Sequence, residues 1–202
     1  MAGFEYTGQD LDMMSMARNY NKWVLNCFYP YINGSTIEVG AGQGTMSQLM
    51  AKQCEKFIAI EPDENNCRII CDKLKDFKHA EAFHGFLSDL PNEKSTTNNI
   101  AYINVLEHIE DDVAELTAAK QILSANNGHL LIFVPAMQAL YGAIDHQVGH
   151  YRRYSKKDLV DLLENKLDMK IIKIKYFDIV GIIPWYVLLT STMRHPKTNQ
   201  LS

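Results

Sequence analysis

Apolar residues first recur at helical spacing between Asp12 and Tyr29, where Met13, Met16, Tyr20, Val24, Cys27 and Phe28 share a face, before Pro30 and Asn33-Gly34 end the helix. Short β-branched runs and helical patterns then alternate. A strand ends at Val39, and a helix from Thr45 to Cys54 leads to a strand over Lys56 to Ile60. Asp63 to Lys75 reads as a helix with Cys67, Ile70, Cys71 and Leu74 inward. Strands follow at Ala82 to Phe86 and Ile100 to Ile103, separated by a polar loop. A helix with Val113, Leu116, Ala119 and Leu123 on one face runs to about Ala125. Gly128 caps it, and a strand over His129 to Val134 stops at Pro135. This alternation predicts an α/β fold: a doubly wound parallel sheet in a three-layer α/β/α sandwich. Residues 1–202 are expected to form one domain.

The C-terminal third departs from that rhythm. Ser155-Lys-Lys-Asp158 predicts a capped helix to about Asn165. Ile172, Ile174 and Tyr176 alternate with Lys173 and Lys175, the pattern of a strand with a guarded edge. Ile179 to Met193 is apolar but contains Gly181 and Pro184, and it falls short of the about 20 residues a membrane span needs. A packed helix or a homodimer contact suits it better than docking on a membrane.

The most informative turn is Ile37-Glu38-Val39-Gly40-Ala41-Gly42-Gln43-Gly44, a strand end, three alternate glycines and a helix start. Ligands of such sheets sit at the carboxyl ends of the strands, where a glycine turn lets them touch bare backbone. A dinucleotide fingerprint requires Gly-x-Gly-x-x-Gly; here the spacing is Gly-x-Gly-x-Gly, which disfavours a nicotinamide oxidoreductase. Glu61 closes the next strand 21 residues after Gly40, the separation at which a carboxylate meets paired ribose hydroxyls.

Charge narrows the partners. Twenty basic and 24 acidic residues give a formal charge of −4 with no polybasic tract, so no nucleic-acid surface is expected. No basic leader with an apolar core is read, and the four cysteines lack a second pair at zinc spacing. Reduced thiols in a cytoplasmic protein without a metal are expected.

The run Asn104-Val-Leu-Glu-His-Ile-Glu-Asp-Asp112, with the glycine turn and Glu61, resembles the motifs of class I S-adenosylmethionine-dependent methyltransferases in order and spacing, from residue 11 to about 180. Pro135 to Tyr154, with Gly149-His-Tyr-Arg-Arg-Tyr154, is similar to a largely uncharacterised bacterial subfamily, sometimes linked with surface-sugar or lipid pathways. The resemblance implies S-adenosylmethionine as cofactor and S-adenosylhomocysteine as product. It places the cofactor against Glu38, Gly40, Ala41, Gly42, Gly44, Glu61, Pro62, Phe86, Leu87, Asn104, Val105 and His108. Family members often carry an acid after the third strand; here Phe86 fills that slot, with Asp89 three residues on. The helix over 11–30 would lie over the cofactor cleft and bring Tyr20 to the acceptor, although Tyr20 and Trp23 also suit core packing. The insertion at 136–154 would face the acceptor. In it His146 and His150 are candidate bases, and Tyr151, Arg152 and Arg153 candidate acceptor contacts. Arginines paired with nearby acids in a structural loop are the alternative. The expected acceptor is a small molecule, a saccharide or a lipid-linked group. The competing reading is a non-catalytic S-adenosylmethionine-binding or interaction protein of the same fold.

Overall fold

A computed structural model describes residues 18–32, 34–125 and 128–177. They fall into two compact units, one ending at Val134 and one starting at Pro135.

The first unit is built on five parallel strands, β1 (Ser35–Val39), β2 (Lys56–Glu61), β3 (Ala80–His84), β4 (Asn99–Ile103) and β5 (His129–Phe133), in the order β3-β2-β1-β4-β5. Helices α1 (Arg18–Asn26), α2 (Thr45–Ala51), α3 (Glu64–Leu74) and α4 (Asp112–Ser124) connect or precede them. Every residue of β4 and all but the first of β1 and β2 are buried, which explains their continuous apolar runs. The order reverses between β1 and β4, so the switch point lies at the carboxyl end of β1.

Register and hydrogen bonds assign the two faces. Paired residues of parallel strands share a face, and successive residues alternate. Val39 pairs with Tyr102, whose hydroxyl donates to Glu115 of α4 at 2.7 Å. Glu38 points the other way and accepts from Ser47 of α2 at 2.5 Å. Thus α4 covers one face and α2 the other. On the α2 face, Glu38 is flanked in register by Ala59 and Ala101, two small residues that leave room for a buried carboxylate. Asp63 and Asp111 cap α3 and α4 by accepting from Asn66 N and Ala114 N.

Several boundaries differ from the expected ones. The third strand lies two residues earlier, because Gly85 (φ 146°) turns the chain and puts Phe86 outside, 54% exposed. Trp23 is 48% exposed and therefore not core, while Tyr20 is half-buried and meets Phe133, the last residue of β5, edge to face at 6.5 Å. The part of the first predicted helix before residue 18 lies outside the described residues, as does the apolar stretch at 179–193.

In the second unit α5 (Ala143–Gln147) precedes α6 (Lys156–Val160), which continues as a π-helical turn, Asp161–Lys166. The predicted capping box forms: Ser155 Oγ accepts from Asp158 N at 3.1 Å, and Asp158 Oδ2 from Ser155 N at 2.8 Å. The strand expected at 172–176 does not form; residues 168–177 carry no regular structure. A strand needs a neighbour to complete its ladder, and side-chain alternation supplies none. Tyr176 instead lies under Lys156, its ring centroid 4.7 Å from Nζ. Among the described residues no helix is long and apolar enough to cross a membrane.

Candidate active site

The carboxyl ends of β1, β2 and β4 converge on the glycine turn. Gly40, Gly42 and Gly44 have φ of 66°, 54° and 73°, the left-handed region that side chains disfavour. At Gly40 there is a second constraint, because a Cβ would lie 2.7 Å from both methyls of Val105, so the β1 and β4 ends pack backbone against side chain. Ala41 is buried and its N–H donates to Ile60 O at 3.0 Å. Gly44 N donates to Ala41 O at 2.9 Å, closing the turn before α2. Lys73 Nζ braces it from α3 by donating to Gln43 O at 2.6 Å.

Two carboxylates stand behind this turn. Glu61 accepts from Gly42 N at 2.7 Å and from Asp63 N at 2.9 Å, one bond to each oxygen. Burial pushes its carboxyl above the ordinary range, although both amides pull the other way. Glu38 is buried further. Desolvation raises it from 4.5 to about 7, opposed by the Ser47 hydroxyl and reinforced by the charge of Glu61.

The remaining expected cofactor residues sit on the loops leaving neighbouring strands. Pro62 follows Glu61, and its carbonyl lies 3.1 Å from His84 Nε2. The turn after β3 is tied to β2 by Gly85 N donating to Glu61 O at 3.1 Å. Phe86 is exposed, Leu87 is buried, and the Asp89 carboxylate accepts from Phe86 N at 2.9 Å. After β4, Asn104 adopts a left-handed φ of 53° with its N–H on Phe133 O at 2.8 Å. Val105 then leads into the turn Leu106–His108, closed by His108 N donating to Val105 O at 2.9 Å.

The segment after Pro135 closes on itself. Ala136 and Tyr154 form a parallel bridge, with Tyr154 N on Pro135 O at 2.9 Å and Met137 N on Tyr154 O at 3.2 Å. Inside it, Asp145 is fully buried and takes Arg153 Nε at 2.7 Å, His150 Nδ1 at 2.8 Å and Gly142 N at 2.9 Å. Arg153, expected at the acceptor, is thus a buried partner of Asp145. His146 is exposed on α5, and Gly149 (φ 80°) ends the helical turn, so His146 and His150 do not share a regular helical face. Tyr151 is exposed, with Arg152 over its ring at 5.9 Å.

Ser47, Lys73 and Asp145 belong to these arrangements and were missed from the sequence. Asp145 had a signal, an acid inside the Asp-His-Gln-Val-Gly-His run, while Ser47 and Lys73 lie on helices where nothing in the spacing marks them.

The turn and its carboxylate fit a cofactor that presents ribose hydroxyls. Three glycines leave bare backbone at the switch point, and each Glu61 oxygen retains a lone-pair direction beyond its one amide bond. Comparison with known proteins agrees. The chain is 33% identical over 131 residues to ribosomal RNA small subunit methyltransferase A of Thermotoga neapolitana, which covers 62% of this chain and 49% of that protein. It is 32% identical over 100 residues to an rRNA adenine N-6-methyltransferase of Limosilactobacillus reuteri, covering 48% and 41%. The chain thus spans about half the length, or less, of these curated relatives. A solved S-adenosylmethionine-dependent methyltransferase of Leishmania major shares the fold, with a TM-score of 0.66 at 15% identity over 85% of this chain and 71% of that one. The profile of the methyltransferase domain matches residues 15–168, and the chain belongs to that family, with S-adenosylmethionine as its cofactor.

Proposed function

We propose that this protein transfers a methyl group from S-adenosylmethionine to a small-molecule, saccharide or lipid-linked acceptor. The observation that carries the reading is the backbone turn at Gly40–Gly44 with Glu61 bonded to Gly42 N. In this reading residues 1–202 work as one methyltransferase domain. Glu61 accepts the ribose hydroxyls, the glycine turn lies along the methionine part, and the loops at Phe86–Leu87 and Asn104–His108 flank the rest. The sulfonium supplies the activated methyl group. The protein's task is to align the acceptor and exclude water, and a base is needed only where the acceptor must lose a proton.

The segment at 136–154 is assigned to the acceptor. It leaves the sheet directly after β5, at the carboxyl edge where such folds bind ligands. His150 is the base in this assignment, held in the loop, whereas His146 is exposed. Tyr151, Arg152 and, on α1, Tyr20 are the acceptor contacts. The resemblance of Gly149–Tyr154 to a subfamily linked with sugar and lipid pathways supports that acceptor class.

A second reading, an RNA acceptor, is favoured by the names of the curated relatives. The formal charge of −4 opposes it. Labelled S-adenosylmethionine incubated with lipid, saccharide and small-acid fractions, and in parallel with ribosomal RNA, separates the two. Label in RNA alone would overturn the proposed acceptor, and no label in any fraction above a control without the protein would remove the catalytic reading.

A further inference from the structure

We infer that residues 166–177 of the second unit form a docking surface for the headgroups of an anionic membrane, on which the protein rests without crossing it. Which acceptor is methylated has no bearing on this surface.

Charge is divided unevenly along the chain. Residues 1–134 hold 10 basic and 18 acidic residues, a formal charge of −8, whereas residues 135–202 hold 10 and 6, a charge of +4. Such asymmetry marks the basic part as the one suited to an anionic partner. The overall charge of −4 conceals it, and no uninterrupted basic run betrays it. Within 166–177, Lys166, Lys170, Lys173 and Lys175 are interspersed with apolar residues and stand against a single acid, Asp168. All four lysines are exposed, and Ile172, between Lys170 and Lys173, is 63% exposed. Met169, Ile171 and Ile174 are half-buried beside them. An interfacial segment needs this composition: aliphatic side chains enter the boundary between headgroups and acyl chains, while the long lysines reach back to the phosphates.

The backbone is tied down at the start of the segment. Leu162 and Leu167 are buried, and Leu167 N donates to Leu162 O at 3.2 Å. Met169 N then donates to Leu163 O at 2.8 Å, and Ile171 N to Glu164 Oε1 at 3.4 Å. At the far end, Tyr176 lies under Lys156, and Lys175 Nζ stands 5.5 Å from the ring centroid of Phe177. Paired rings and ammonium groups suit the headgroup level, where one part of the pair is apolar and the other wet. A segment already tied in this way loses little further freedom on docking. The ion pair from Lys166 to Asp161, 3.6 Å long with both side chains more than half exposed, is too weak to withdraw that charge.

RNA is the other polyanion to weigh. Lysines would meet its phosphates equally well, but RNA recognition gains from bases stacked on exposed aromatic or guanidinium planes. The exposed residue between the lysines is aliphatic, and covering it rewards a lipid surface more.

Cosedimentation of the full chain with vesicles tests the inference, using phosphatidylcholine alone or with about one-third phosphatidylglycerol. The protein should bind the anionic vesicles, ignore the neutral ones, and bind less as salt rises. At about fivefold in affinity per lysine near such a surface, Lys170→Gln/Lys173→Gln should bind roughly 25-fold more weakly. Ile172→Ser should weaken the part of the binding that survives high salt. Lys52→Gln/Lys78→Gln makes the same charge change at two exposed positions of the first unit and should leave binding unaltered. Unfolding midpoints of the three variants check that each one folds. No binding to anionic vesicles, equal binding to neutral ones, or equal losses in the two double variants overturns the inference. So does a protein that ignores vesicles but binds an RNA oligonucleotide through Lys170 and Lys173, or one that ignores vesicles and self-associates until Ile172→Ser releases it.

Discussion

Glu38 sits under the glycine turn with 3% of its surface exposed, and the substitution Glu38→Gln isolates the effect of its charge. The amide retains an oxygen that can accept from Ser47 Oγ but cannot ionise. Burial, with the neighbouring charge of Glu61, raises Glu38 from 4.5 to about 7 despite the Ser47 bond. The folded protein therefore binds this proton more tightly than the unfolded chain. Stability from Glu38 is fully present below the unfolded value and is lost as pH rises through the folded one. At about 1.36 kcal/mol per pH unit, ionising Glu38 costs the fold about 3 kcal/mol. Urea unfolding of both proteins without cofactor, across about pH 4 to pH 9, gives the difference in stability at each pH. Titration of Glu61 and the other groups largely cancels in that difference. The Gln protein should match or trail the parent at the acid end, where its amide N–H groups gain nothing, and should improve relative to it by about 3 kcal/mol at the alkaline end. A difference that stays flat across the window would refute the reasoning, because Glu38 would then titrate alike in both states.

The other predictions concern the turn. Glu61→Ala should weaken S-adenosylhomocysteine by roughly 1.5–3 kcal/mol, the scale of hydrogen bonds to a charged group. Calorimetry with an analogue lacking the ribose hydroxyls is the control, and equal losses for both ligands would show that Glu61 acts only by holding Gly42. Gly40→Ala should cost roughly 1–2 kcal/mol for the left-handed backbone and more for the Val105 contact. Adding Val105→Ala should recover the second part and not the first, as a double-mutant cycle in urea would read; no coupling would mean that the turn relaxes away from β4. Lys73→Met removes the brace on Gln43 O and should lower S-adenosylhomocysteine affinity several-fold, with an unfolding midpoint only slightly reduced. Unchanged affinity would make the brace incidental.

Much of the fold was legible because it rests on periodicity. Strands at 35–39, 56–61, 99–103 and 129–133 announce themselves as short, mostly apolar runs between helical patterns, and the glycine turn announces the switch point. The edge strand β3 was misplaced by two residues because Ala80 to His84 is only partly buried and carries little apolar contrast. The alternating 172–176 segment misled for the opposite reason: its contrast is strong, but a strand is a property of two chains of atoms, and the pattern records only one. The site divides along the same line. Glu38 and Glu61 could be singled out because strand ends are predictable from pattern and the switch point makes strand ends matter. What each carboxylate does there depends on groups distant in sequence: Ser47 from the following helix, Gly42 nineteen residues before Glu61, and alanines on both flanking strands that let a charge be buried at all. Within 141–154 the residues are local, yet their roles were just as hidden. Arg153 and His150 read as outward-facing chemistry until one buried acid claims a nitrogen from each. A carboxylate with several donors around it has no period, and the donor that completes it can stand at any spacing that the loop's turns allow.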